Sequence, residues 1–167
     1  MDRVFKLTEF PRYRIVVQSS SERLEQVGPL IPGSWCRHDD ELGREVRGEF
    51  LIDTGAYGAM IDLDVAELLQ LRLQGNRELH GIHGYGRLQQ FFARISLPAL
   101  DNGGRRTVFT TTIECVAVPL LSAKNREHGI EVIGILGRTF LRGSRLTVDG
   151  VGGKVELEIG GDLTNGR

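Results

Sequence analysis

The stretch Phe50-Leu51-Ile52-Asp53-Thr54-Gly55-Ala56 decides how this chain is read. An apolar strand runs straight into a carboxylate inside a Thr-Gly turn. Side chains in such a place solvate the carboxylate poorly, so backbone N–H groups must meet its oxygens. Gly55 and Ala56 are small enough to let them approach, and the Thr54 hydroxyl, if buried, must itself find a partner and so lock the loop. The result suits a carboxylate that is accurately placed and reactive. The tripeptide alone decides little, because background composition produces it by chance in roughly a few per cent of chains of this length. Its surroundings decide more.

Upstream, Ile31 to His38, a turn around Asp39-Asp40-Glu41-Leu42-Gly43, and Arg44 to Asp53 read as a β-hairpin whose second arm delivers the apolar run. Before it, Tyr13 to Gln18 reads as a strand, and Ser19-Ser20-Ser21-Glu22 opens a short helix that Gly28-Pro29 ends. Downstream, Asp62 is an N-cap for a helix through Val65-Ala66-Glu67-Leu68-Leu69 that stops near Gly75-Asn76. Glu78 to Pro98 forms two strand-like arms around a glycine-rich apex, Gly81-Ile82-His83-Gly84-Tyr85-Gly86. Thr107 to Val118 alternates as a strand, Glu131 to Leu136 is a buried strand, and Gly137 to Leu141 is a helical turn. Leu146 to Asp149 and Lys154 to Ile159 close with a hairpin across Gly150-Val151-Gly152-Gly153. The organisation expected is an N-terminal extension over 1–43 packed on the domain, a main domain over 44–160, and a frayed tail over 161–167.

The 167 residues, 40% hydrophobic and 26% charged, suit one globular domain with a small appendage. Glycine, at 22 residues, is nearly twice its usual share while aromatics are only 7%, which favours many turns and a mainly β fold. A formal net charge of −1 supplies no field for nucleic acid or an anionic membrane surface, so neither is expected as a partner. The longest apolar run, Cys115 to Leu121, is far short of the ~20 residues of a membrane span. Two cysteines and an N-terminus without an apolar leader fit a reducing, cytoplasmic setting. Cys36, His38, His80, His83 and Cys115 match no zinc spacing, so neither metal nor cofactor is expected. Glycines 81, 84 and 86 do not follow the dinucleotide-binding pattern, and no G-x-S-x-G elbow occurs.

Three ordered segments carry a family resemblance. Leu51-Ile52-Asp53-Thr54-Gly55-Ala56 resembles the catalytic loop of the retroviral-type aspartic proteases, the retropepsins. Gly81-Ile82-His83-Gly84-Tyr85 resembles their flap tip, with His83 where the family usually has glycine. Ile135-Leu136-Gly137-Arg138-Thr139-Phe140-Leu141 is similar to the segment leading into their C-terminal helix. The N-terminal region and the helix after the catalytic loop look more like cellular or bacterial stand-alone members than viral enzymes. In the viral enzymes acidic residues follow the Asp-Thr-Gly-Ala run and pair with the arginine that Arg138 resembles, whereas here Tyr57 and Gly58 stand there.

The resemblance implies a mainly β, retropepsin-like single lobe: closed, barrel-like sheets with a flap hairpin and short helices, forming a two-fold homodimer. It implies an aspartic endopeptidase acting on peptide or protein substrates. Catalysis by this route needs two carboxylates around one water, and this chain has one Asp-Thr-Gly, so Asp53 of each copy would form the dyad. Thr54 would bond across the axis, with Gly55 completing the turn. Ala56 and the flap residues Gly81, Ile82, His83, Gly84 and Tyr85 would contact substrate, Ile82 N–H through a water. A His83 at the tip would make closure sensitive to pH near 6.5. The alternative is a non-catalytic retropepsin-like dimerisation or peptide-binding module.

Overall fold

The computed structural model describes residues 11–39, 43–81, 84–119 and 129–160. Among the described residues, ten strands and three short helices follow one another in the order β1 (Tyr13–Gln18), α1 (Ser21–Val27), β2 (Leu30–Cys36), β3 (Glu45–Ile52), β4 (Ala59–Asp62) and α2 (Leu63–Leu68). Then come β5 (Leu73–Gly81), β6 (Gly84–Leu100), β7 (Arg106–Val118), β8 (Val132–Leu136), α3 (Arg138–Leu141), β9 (Ser144–Asp149) and β10 (Lys154–Ile159). The mainly β class expected from glycine content and alternation is the one observed.

Six strands close on themselves. The order β2-β3-β8-β4-β7-β6 returns to its start because β6 also pairs with β2, through Ser34↔Ser96, Trp35↔Ile95 and Cys36↔Arg94. Closure leaves no free edge inside the ring. Its interior is filled by side chains that are fully buried, among them Ile31, Trp35, Phe50, Ile61, Ile95, Leu97, Ile133 and Leu136. Trp35 and Phe50 meet edge to face at 5.1 Å, and the Trp35 indole N–H donates to the Ile133 carbonyl at 3.0 Å, bracing β2 against β8 through the core. Gly134 makes that crossing possible, since a Cβ there would lie 2.8 Å from the indole nitrogen and 2.9 Å from the Met60 carbonyl.

Strand β6 is 17 residues long because it serves several partners. Its first half pairs with β5 as the glycine-tipped hairpin, its second half with β7 and β2, and Leu100 at its end with Arg14 of β1. From there the sheet continues as β1-β10-β9, all antiparallel. The N-terminal region contributes β1, α1 and β2, and β2 is a wall of the ring.

Two local expectations differ from the structure. The helix after Asp62 ends at Leu68 rather than near Gly75, because Gln70 takes a left-handed conformation (φ 52°) and Leu71 N–H bonds back to the Ala66 carbonyl at 3.1 Å. The strand β4, four residues long, had no alternating signal of its own. It forms because β7 and β8 flank it on both sides.

Candidate active site

The position of Asp53 follows from one feature of the topology. β3 and β4 are consecutive in the chain yet do not pair, because β8 lies between them, parallel to β3 and antiparallel to β4. The link over 53–58 must therefore arch across the end of β8, a span of about 9.5 Å at two strand spacings. The strand leading into the arch is covered on both faces. Phe50 and Ile52 point into the barrel core, and Leu51 packs on an outer cluster of Leu30, Ile130 and Val132 with Val27 of α1. The apolar triplet in the sequence is explained by this double burial.

The arch is held at both feet. Ile52 N–H donates to Pro29 O at 2.9 Å and Asp53 N–H to Leu136 O at 3.1 Å, fixing the entry between β2 and β8. Arg138 N–H donates to Ala56 O and Thr139 N–H to Tyr57 O, both at 2.9 Å, so the start of α3 holds the exit. β8 leaves beneath the arch through Gly137, where a Cβ would sit 2.5 Å from Gly58 O and 2.7 Å from Ala56 O. Only glycine fits there without moving backbone.

Within the arch, Gly55 N–H donates to Asp53 Oδ1 at 2.8 Å and Ala56 N–H to Asp53 O at 3.2 Å. Gly55 N–H is the single hydrogen bond to the Asp53 carboxylate among the described residues, and it leaves Oδ2 without a donor. Asp53 is half-buried, Thr54 and Gly55 are exposed, and Ala56 is buried. Thr54 is held by its carbonyl rather than by a buried hydroxyl, which departs from the lock read in the sequence. The agent is Arg138, whose Nη1 donates to Thr54 O at 3.1 Å and to Gly55 O at 3.0 Å. The arginine without an acidic partner at 57 or 58 thus takes backbone carbonyls instead. It braces the turn while placing no cation on the Asp53 carboxylate.

The glycine-tipped hairpin is brought to this arch by residues that the sequence reading did not single out. Arg77, on β5, lies with its guanidinium carbon 5.2 Å from the centre of the Tyr57 ring and donates from Nη1 to Glu114 of β7 at 2.7 Å. Tyr57 is 55% exposed, so the contact is a surface strap from hairpin arm to arch. The one signal in the sequence was Tyr57 itself, an aromatic where an acid was expected. Gly81 and Gly84 pair at the end of the hairpin, as do His80 and Tyr85, while Ile82 and His83 lie outside the described residues.

Other reactive groups are accounted for differently. Cys36 and Cys115 are both free and buried, and burial pushes the Cys115 thiol up to about 12, which removes it as a nucleophile. Among the described residues no three His, Cys, Asp or Glu side chains are grouped to hold a metal. A concavity of about 600 Å³ lies elsewhere, where β1, β6 and β10 meet around Tyr13, Arg14, Leu100 and Glu156, and there Arg14 is already paired with Glu156.

No protein-family model matches the chain, and no curated protein matches its sequence. Solved structures similar to it include two proteases. EIAV protease, complexed with the inhibitor HBY-793, is 18% identical over 72% of this chain and 92% of its own, with a TM-score of 0.41. A retropepsin-like aspartic protease from Rickettsia conorii is 15% identical over 87% of this chain and 90% of its own, with a TM-score of 0.42. Both likenesses are partial.

Proposed function

We propose that this chain is an aspartic endopeptidase working as a homodimer, with one Asp53 from each copy forming the catalytic dyad. The observation that carries the reading is the state of Asp53: raised on a braced arch, fixed through Oδ1 by Gly55 N–H, with Oδ2 unengaged and the nearby guanidinium of Arg138 committed to carbonyls. A structural aspartate in this position would be expected to hold the arginine for itself.

Two such carboxylates at about 3 Å cannot both ionise, so they share one proton. The ionised member takes a proton from a water placed between them, and that water attacks the scissile carbonyl. The protonated member donates its hydrogen bond to the carbonyl oxygen as negative charge builds there. Collapse of the tetrahedral intermediate returns a proton to the leaving amine and restores the shared-proton dyad. In this reading Thr54 bonds across the two-fold axis and Ala56 lines the floor. Gly81, Ile82, His83, Gly84 and Tyr85 close over an extended peptide and exclude bulk water. Two free, buried cysteines support a reducing, cytoplasmic setting.

The test is cleavage of a random peptide library by the purified protein between pH 4 and 7, with and without a statine-type inhibitor, beside Asp53→Asn. Cleavage that is inhibited and that disappears in the variant supports the reading. Cleavage that survives in Asp53→Asn overturns it. A folded dimer that binds peptides and cuts none would be a retropepsin-like binding module instead.

A further inference from the structure

The strap that ties the hairpin to the arch is built around one guanidinium. Arg77 stands on β5 opposite Leu88, and Glu114 on β7 opposite Phe92. β5 and β7 flank β6 on its two edges, since Phe91 pairs with both Leu73 and Cys115. The Arg77 side chain therefore crosses β6 to reach Glu114, where Nη1 donates at 2.7 Å, and its guanidinium carbon lies over the Tyr57 ring at 5.2 Å. A cation stacked on an aromatic ring and anchored at one nitrogen has little freedom left to lose on binding. Its Nε and Nη2 make no hydrogen bond among the described residues.

Nε and Nη2 form the edge of a guanidinium that takes both oxygens of a carboxylate in two parallel bonds. The chain uses that edge in Arg37, whose Nε and Nη2 donate to the two oxygens of Asp39 at 3.0 Å each. On Arg77 the same edge is unused among the described residues, and 37% of the side chain is exposed, so a peptide can reach it. Glu114 does not compete for the edge, because it holds Nη1 from across β6. Position decides what can arrive there. Tyr57 stands at the foot of the arch beside β4, about 9.5 Å across from the foot that carries Asp53. An extended peptide laid across the arch advances about 3.3 Å per residue, so a side chain about three residues from the bond over Asp53 comes level with Tyr57 and Arg77.

We propose that Arg77 makes this chain select acidic peptides, its Nε–Nη2 edge taking the carboxylate of an Asp or Glu about three residues from the bond held over Asp53. The inference rests on the Asp53 reading for where the peptide lies, and a homodimer would present one such edge on each side of the scissile bond. Asp53→Asn, which removes the cutting chemistry, lets binding be read alone by fluorescence anisotropy. The probes are two pools of capped, dye-labelled random decapeptides that differ only in carrying Glu or Gln three residues either side of the centre. The Glu pool should bind about fivefold tighter, the scale of a half-exposed ion pair. Adding Arg77→Met should bring that ratio to about one, and Arg77→Glu should make a matching Lys pool the tighter binder. With Arg77 in place, its Nε–H resonance in NMR should shift with a Glu peptide and stay put with the Gln counterpart. Equal binding of the Glu and Gln pools overturns the proposal, as does a Glu preference that survives Arg77→Met, or a chain that binds neither pool. A wild-type chain that cuts peptides without this preference keeps the Asp53 reading and loses the Arg77 one. A chain that prefers the Glu pool through Arg77 yet cuts nothing keeps the Arg77 reading and loses the peptidase.

Discussion

Two Asp-x-Gly turns in this molecule have the same local geometry and opposite fates. In Asp53-Thr54-Gly55 and in Asp101-Asn102-Gly103 the glycine N–H donates to the aspartate Oδ1 at 2.8 Å. Asp101 then accepts a second backbone N–H, from Arg105 at 3.0 Å, and the Arg105 guanidinium at 2.9 Å on Oδ2. Together these hold its carboxyl below the usual range, the Arg105 backbone bond contributing most. Asp53 receives nothing further, and its neighbouring arginine is directed to the carbonyls of Thr54 and Gly55. The tripeptide makes the turn in both places. The direction of one guanidinium separates a carboxylate engaged through both oxygens from one whose Oδ2 is left unengaged.

Removing each carboxylate in turn should separate the two turns most widely. Asp53→Asn should lower peptide hydrolysis by at least about 10³-fold, since it removes general acid/base chemistry, while Asp101→Asn should leave turnover within about twofold. If both variants lose activity alike, Asp53 is not special. Next in size is the arch itself. Gly137→Ala would drive a Cβ into the Gly58 and Ala56 carbonyls and should cost about 2–4 kcal/mol in urea unfolding, whereas Gly150→Ala, which meets open space, should cost almost nothing. Smaller again is the brace. Arg138→Met should destabilise by about 1 kcal/mol, discounted because the side chain is exposed, and should speed amide exchange selectively at 54–57. Arg105→Met should instead raise the Asp101 pKa seen by NMR and leave the Asp53 loop unchanged.

The smallest effect concerns acid stability. Arg14 first, then Lys154, hold the Glu156 carboxyl down to about 2, against 4.5 when unpaired. A depressed carboxylate contributes stability that is complete above its unfolded pKa and is lost as pH falls through the folded one. Tm should therefore drop between pH 4.5 and 2, and Glu156→Gln should flatten that limb. An unchanged limb would show that the surface pair contributes nothing measurable.

Alternation and turn chemistry made most strands legible, because each reports burial of one face. Gly28-Pro29, the run Ser19-Ser20-Ser21-Glu22 and the Asp62 cap marked helix ends for the same local reason. What could not be read were contacts between residues distant in the chain. Arg138 bonds to carbonyls 83 and 84 positions away, and a backbone carbonyl has no identity in a sequence. Tyr57, Arg77 and Glu114 come from the arch, β5 and β7, so no window contains all of them. β4 was missed because its stability comes from its neighbours rather than its own four residues. The Asp53 turn was legible as a turn. Its special status was a matter of position at the end of a doubly covered strand.

The insertion of β8 between β3 and β4 also sets an order of events. During synthesis the Asp53 segment emerges long before residues 132–139, and until those arrive the arch has neither the strand it spans nor the bonds to Leu136, Arg138 and Thr139 that help fix its feet. A nascent or truncated chain can form the early hairpins, which are local, but not the arch, whose closure is a long-range contact made late. The Asp53 carboxylate therefore reaches its place only once the sheet around it is nearly complete.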